Sequence, residues 1–175
     1  MTIPVFFIAV GVYLIQPFEL QSPRQIVTFG SMIPDPCTTV AFTGHRTYCG
    51  EAAAALAAAI RGLHAHGFRT FLCGMAVGFD LAAAEAVLEL RERVPGVRLV
   101  AAVPFRGQEM RFSPADRERF RRVLAEADSV EVLAPAYHRG CYAVRNDFLV
   151  DNARVLVAWY DGSPGGTRYT VRSAL

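Results

Sequence analysis

The sequence predicts an α/β domain of the Rossmann-like kind, three layers deep, around a central and mainly parallel sheet of about five strands. Three observations carry this. Short apolar or β-branched runs alternate with amphipathic stretches of helical length from Thr38 onward, which is the pattern of βαβ units. Gly-rich segments stand where those runs would pass into helices. A chain of 175 residues with 53% hydrophobic and 19% charged residues can bury one sizeable core.

The elements follow in order. Thr38 to Phe42 reads as the first strand, ending in Thr43-Gly44-His45-Arg46. The alanine-rich stretch Glu51 to His66 reads as a helix stopped by Gly67. Phe68 to Cys73 is the second strand, and Gly74 to Asp80 turns into a helix that runs to about Arg93, where Val94-Pro95-Gly96 ends it. Val97 to Val103 is the third strand and closes at Pro104-Phe105. Ser113-Pro114-Ala115-Asp116 has a serine cap, a proline in the first turn and an acid after it. In the helix that follows, Phe120, Val123, Leu124 and Ala127 fall on one face. Ser129 to Leu133 is the fourth strand, Gly140 to Val150 a helix, and Arg154 to Tyr160 the fifth strand. The turn Asp161 to Thr167 opens a last helix that has barely begun at Leu175, so the domain, residues 37–175, is expected to be cut short at its C-terminus.

Residues 1–36 are read as an N-terminal extension outside the fold. Ile3 to Ile15 is almost continuously apolar but too short to span a bilayer comfortably. No Lys or Arg precedes Arg24 and no small-x-small site follows, so it lacks the parts of an export signal, and Met32 is the expected natural start. A cytoplasmic location without membrane contact is the expectation. The formal charge of +2 gives no footprint of a general nucleic-acid binder. Cys37, Cys49, Cys73 and Cys141 are widely spaced with no CxxC pair, which suggests neither a zinc site nor a disulfide framework.

In an open parallel sheet, ligands sit beyond the carboxyl ends of the strands. Every chemically suggestive cluster falls there: Gly44-His45-Arg46, Gly74 to Asp80, Pro104-Phe105 to Gln108, Tyr137 to Cys141, and Gly165-Gly166-Thr167. The last could form an anion-binding nest with the Thr167 hydroxyl as a further donor. A plain helix-entry turn is the competing reading, and no Walker A loop or GxGxxG fingerprint is present. In the second loop, Gly74, Ala76 and Gly78 would allow close approach of a ligand, and Asp80 could cap the next helix. Glu85 lies inward on that helix and wants either a ligand hydroxyl or a basic partner. Arg46 and Arg145 could hold phosphate, and Asn146 could read a base or ribose edge. His45 lacks a recognisable nucleophile beside it and reads as a satisfied loop histidine.

These motifs, with Ala83-Ala84-Glu85, Cys141-Tyr142, Val150-Asp151 and Thr170, together resemble the YpsA family of the SLOG superfamily over about Thr39 to Val171. The resemblance implies a Rossmann-like sheet that binds a nucleotide or nucleotide-derived, ADP-ribose-like ligand at its Gly-rich loops. It implies no required cofactor or metal. Relatives in the superfamily include the LOG phosphoribohydrolases, DprA and sensor domains of bacterial conflict systems. LOG-type enzymes carry a Pro-Gly-Gly-x-Gly-Thr loop followed by a catalytic glutamate, whereas Arg168, Tyr169 and Thr170 follow Thr167 here. The expectation therefore moves from catalysis towards a binding or sensor domain. The alternatives are a nucleoside-monophosphate N-glycosidase using Glu85 or Asp80, and a DprA-like DNA-binding module using the basic Arg106 to Arg122 segment. The expected partners are a small nucleotide-like molecule and, in a homo-oligomer, a second copy of the chain; nucleic acid is not expected.

Overall fold

The computed structural model describes residues 12–15 and 35–175. Six strands form one sheet: β1 (Val12–Ile15), β2 (Thr39–Gly44), β3 (Thr70–Cys73), β4 (Arg98–Val103), β5 (Ser129–Val132) and β6 (Val155–Trp159). Their spatial order is β1-β6-β2-β3-β4-β5. All neighbours from β6 to β5 are parallel, giving the five parallel strands expected, and β1 adds an antiparallel edge with Val12 opposite Trp159 and Ile15 opposite Leu156. Part of the segment expected to lie outside the fold is thus paired with the sheet. Residues 1–11 and 16–34, with the remainder of the apolar run and Met32, lie outside the described residues.

The helices are α1 (Ala53–Ala65), α2 (Phe79–Arg91), α3 (Pro114–Glu126), α4 (Cys141–Asp151) and α5 (Gly166–Ser173). Strand alternation divides the core between the two faces. Val40, Phe42, Phe71, Cys73, Leu99 and Ala101 meet α1, α2 and α3, whose contributions include Leu56, Ile60, Phe79, Val87, Phe120 and Val123. The intervening Ala41, Leu72, Val100 and Ala102 face the other way, against Leu149 of α4 and Val171 of α5. Ser113 caps α3 as its sequence announces, accepting from the Asp116 N–H at 3.1 Å. No helix among the described residues is long and apolar enough to cross a membrane.

The strand order fixes where a crevice can open. The chain runs from β2 outward through β3, β4 and β5 along one side, then returns through α4 to β6 on the opposite flank of β2. Loops leaving β2 and β6 therefore diverge to opposite faces, and the space between their carboxyl ends is the natural ligand position in this architecture.

Candidate functional site

A cleft of about 540 Å³ lies at that point, lined from β2 by Thr43 to Thr47, from the β3–α2 region by Ala76 and Asp80, from α4 by Tyr142, Arg145 and Asn146, and from the β6–α5 turn by Asp161, Ser163, Gly166 and Thr167.

Its floor is a buried ion pair. The turn after β3 places Met75 at φ 60°, a conformation that side chains larger than glycine seldom adopt, and Gly78 at φ 82° just before α2. A Cβ on Gly78 would lie 2.6 Å from the carbonyl oxygens of His45 and Arg46, so this glycine lets the first and second loops touch. Gly74 is equally cramped. A Cβ there would strike Arg145 Nη1 and stand 2.7 Å from Asp80 Oδ2. Arg145 Nη1 donates to the Gly74 carbonyl oxygen and lies 3.5 Å from Asp80 Oδ2. Asp80 Oδ2 also accepts from the Ala76 N–H at 3.3 Å. Asp80 therefore folds back onto its own loop rather than capping α2, where Gly78 holds the cap position without a side-chain bond.

Asp80 is 2% exposed and Arg145 7%. Burial pushes the Asp80 carboxyl up to about 6, against the opposing pull of Arg145, the Ala76 and Gly44 backbone and Arg46. The same burial pushes the Arg145 guanidinium down from its ordinary value, with Asp80 resisting. The Gly44 backbone is close enough to favour the anion, yet it closes no hydrogen bond with Asp80 Oδ1, which is buried without a partner. A buried acceptor left open on a cleft wall is an unfilled demand for a donor.

Asn146 is anchored at both ends of its amide. Its Oδ1 accepts from Arg145 Nε at 2.8 Å and its Nδ2 donates to the Gly166 carbonyl at 3.3 Å, tying α4 to the start of α5. One lone pair and one N–H are used in this way, and the residue lines the cleft where a base or ribose edge was expected to meet it. Gly166 and Thr167 face the cleft at the N-terminus of α5, where first-turn N–H groups lack intrahelical acceptors. Gly165, expected in the same nest, faces a separate shallow hollow beside Arg168 and Arg172.

Other expected residues lie off the cleft. Glu85 meets Arg119 in a fork, with bonds of 3.0 and 2.7 Å, and Arg122 at 2.7 Å, so its partner is the basic side of α3. Gln108 is buried and donates from Nε2 to the Met75 carbonyl at 2.7 Å, bracing the strained turn. Pro104 is buried at the end of β4, and Phe105 packs with Ala134, Cys141 and Tyr142. Arg46 reaches the mouth with its guanidinium 5.5 Å from the Tyr142 ring centroid.

Six lining residues escaped the site reading: His45, set aside as a loop residue, with Thr43, Thr47, Tyr142, Asp161 and Ser163. His45 Nε2 lies 2.9 Å from Asp161 Oδ1, and the imidazole packs against Trp159 and Tyr160. Hydrogen bonds from Ser163 lead in holding the Asp161 carboxyl below its ordinary value, with His45 contributing. For His45 and Asp161, position just after β2 and β6 was the available signal.

A mainly parallel sheet with a glycine-lined crevice at its order reversal defines a Rossmann-like α/β protein. The YpsA family model, described as the YspA SLOG family, matches residues 41–175, and the chain belongs to that family. Among curated relatives, a UPF0398 protein of Shouchella clausii strain KSM-K16 is 37% identical over 102 residues, covering 56% of this chain and 54% of the relative. A UPF0398 protein of Bacillus cereus strain B4264 is 31% identical over 101 residues, covering 56% and 55%. The chain thus spans about half the length of the curated relatives it matches. Its fold is similar to that of DNA processing protein A from Helicobacter pylori, at TM-score 0.55 and 15% identity, over 92% of this chain and 65% of that one. The Helicobacter pylori protein has a single-stranded DNA binding mode.

Proposed function

We propose that the chain is a cytoplasmic binding or sensor domain for a nucleotide or nucleotide-derived molecule held in this cleft. The observation that carries the reading is Asp80 Oδ1, a buried acceptor without a partner on the wall of a crevice whose other end is a helix N-terminus. A ribose hydroxyl supplies the missing donor. Phosphate suits the first turn of α5, where Gly166 and Thr167 meet the cleft. Arg46 at the mouth adds a cation that can follow the ligand.

Gly166→Asp is the decisive variant. A Cβ at Gly166 meets only Asn146 Nδ2, at 3.6 Å, so the substitution puts negative charge at the phosphate position with little steric cost. Thermal shifts with AMP, ADP and ADP-ribose are expected in the parent chain and lost in Gly166→Asp. Shifts that survive the substitution would remove phosphate from the α5 end.

A hydrolase reading has one observation in its favour, the near-neutral carboxyl of Asp80 in the cleft. Such an enzyme would use the open oxygen to stabilise the positive ribosyl centre or to accept a proton from the attacking water as the base departs. Incubation with nucleoside monophosphates and chromatography of the free bases tests it; released base that disappears in Asp80→Asn would make the domain an enzyme. Titration with a single-stranded oligonucleotide at increasing salt addresses the remaining partner. Tight binding that falls steeply with salt would replace the small-molecule reading.

A further inference from the structure

Resting on the nucleotide reading of the cleft, we propose that the ligand's aromatic base inserts between the Tyr142 ring and the Arg46 guanidinium, and that this subsite requires a base while discriminating little between bases.

Tyr142 and Arg46 both line the cleft, and the guanidinium covers the tyrosine ring at 5.5 Å from its centroid. Arg46 is itself exposed and sits on the loop after β2. It therefore lies over an aromatic face that would otherwise meet water, in the position a flat ring would take on binding. A planar base inserted there keeps both favourable interactions, stacking on tyrosine below and guanidinium above.

The tyrosine is held in place from behind. Buried Phe105 meets it edge-on, with centroids 5.8 Å apart and planes at 78°, and Tyr137 adds a tilted contact at 6.5 Å. Phe105, expected from the sequence to touch ligand, instead fixes the ring that does. Tyr142 belongs to the first turn of α4, one turn before Arg145, so the stacking face and the Asp80–Arg145 floor are set by the same helix.

The low selectivity follows from where the amide sits. The one side-chain amide in the cleft lining belongs to Asn146, which is tied to Arg145 and Gly166 beside the floor. No second amide lines the cleft beside Tyr142 and Arg46 to match the paired donor and acceptor on a base edge. Stacking is available to every base, because each has a π face.

Isothermal titration with AMP, CMP and ribose 5-phosphate tests this, on the parent chain, Tyr142→Leu, Tyr142→Phe and Arg46→Ala. In the parent, AMP is expected to bind at least about tenfold more tightly than ribose 5-phosphate, with CMP within about fivefold of AMP. Tyr142→Leu should remove the AMP advantage while leaving ribose 5-phosphate affinity within about threefold, and Tyr142→Phe should retain it. Arg46→Ala, at an exposed position, should reduce the AMP advantage without disturbing the core, which covers the case in which Tyr142→Leu fails to fold. Equal affinity for AMP and ribose 5-phosphate in the parent overturns the base subsite while the phosphate and ribose reading stands. An AMP advantage unchanged in both Tyr142→Leu and Arg46→Ala overturns it as well. Binding of neither AMP nor ribose 5-phosphate overturns both readings together.

Discussion

Replacing Asp80 by asparagine should change how the protein's stability responds to pH, and the size of that change follows from the buried pair. The native carboxyl titrates at about 6 because burial outweighs the help it receives from Arg145 and the backbone. In the unfolded chain it returns to its ordinary value near 3.8. Between those two pH values the folded state holds a proton that the unfolded state has released. Stability from this group is therefore fully present below about pH 4 and is lost as pH rises through about 6. The gap, at about 1.4 kcal/mol for each tenfold change in proton affinity, amounts to about 3 kcal/mol. Asparagine cannot ionise, so subtracting its urea-unfolding free energies from those of the parent, at matched pH from 4 to 7.5, isolates the contribution. The difference should move against the parent by about 3 kcal/mol across the range. Saturating AMP, whose ribose hydroxyl would donate to Oδ1 of the ionised form, should shrink the movement. Parallel curves would refute the reasoning, and a parent that gains on asparagine with rising pH would show that Arg145, rather than burial, dominates.

Glu85→Gln weakens a partly exposed fork to Arg119 and the contact with Arg122, and should cost about 1 kcal/mol in urea unfolding. Its AMP affinity, measured by calorimetry, should stay within about twofold; a tenfold loss in a folded variant would return Glu85 to the ligand site. Gly74→Ala drives a methyl group into Arg145 and Asp80 and should destabilise by about 2 kcal/mol or more, read as a lowered unfolding midpoint. An unchanged midpoint would mean that the floor of the cleft has room that the geometry denies it.

The alternation of strands and helices was legible because each strand carries its own two-sided pattern. Val40 and Phe42 face one layer, Ala41 the other, and no distant information is needed to see it. Ser113 and Pro114 announced α3 in the same local way. The location of the site was legible too, since glycines collect where β2, β3 and β6 hand over to loops. Roles within the site were another matter, because they depend on partners far away in sequence. Glu85 was an inward acid in search of either ligand or base, and the packing of α3 against α2 supplied Arg119, 34 residues on. Asn146 looks like an unanchored amide until α5 brings the Gly166 carbonyl to one of its N–H groups. Val12–Ile15 belongs to an apolar run without helical or strand periodicity, and its pairing with β6 shows only when both segments are placed.

Counting what remains uncommitted narrows the chemistry more than counting what is present. Arg145 uses Nη1 on the Gly74 carbonyl and Asp80 and Nε on Asn146, so it organises the floor. Asp161 is already met by Ser163 and His45. Among the groups at the cleft, three features keep capacity to spare: Asp80, whose Oδ1 has no partner, the first-turn N–H groups of α5, and the Arg46 and Tyr142 pair. A hydrogen-bond acceptor, an anion site and an aromatic face match, one to one, a sugar hydroxyl, a phosphate and a base. Hydrolysis would make the added demand that Asp80 hold water against the sugar; Glu85 is bonded to α3, which leaves Asp161 as the other carboxylate lining the cleft. The proposed binding role rests on retention of an intact nucleotide, and release of free base by the parent chain is the result that would reverse it.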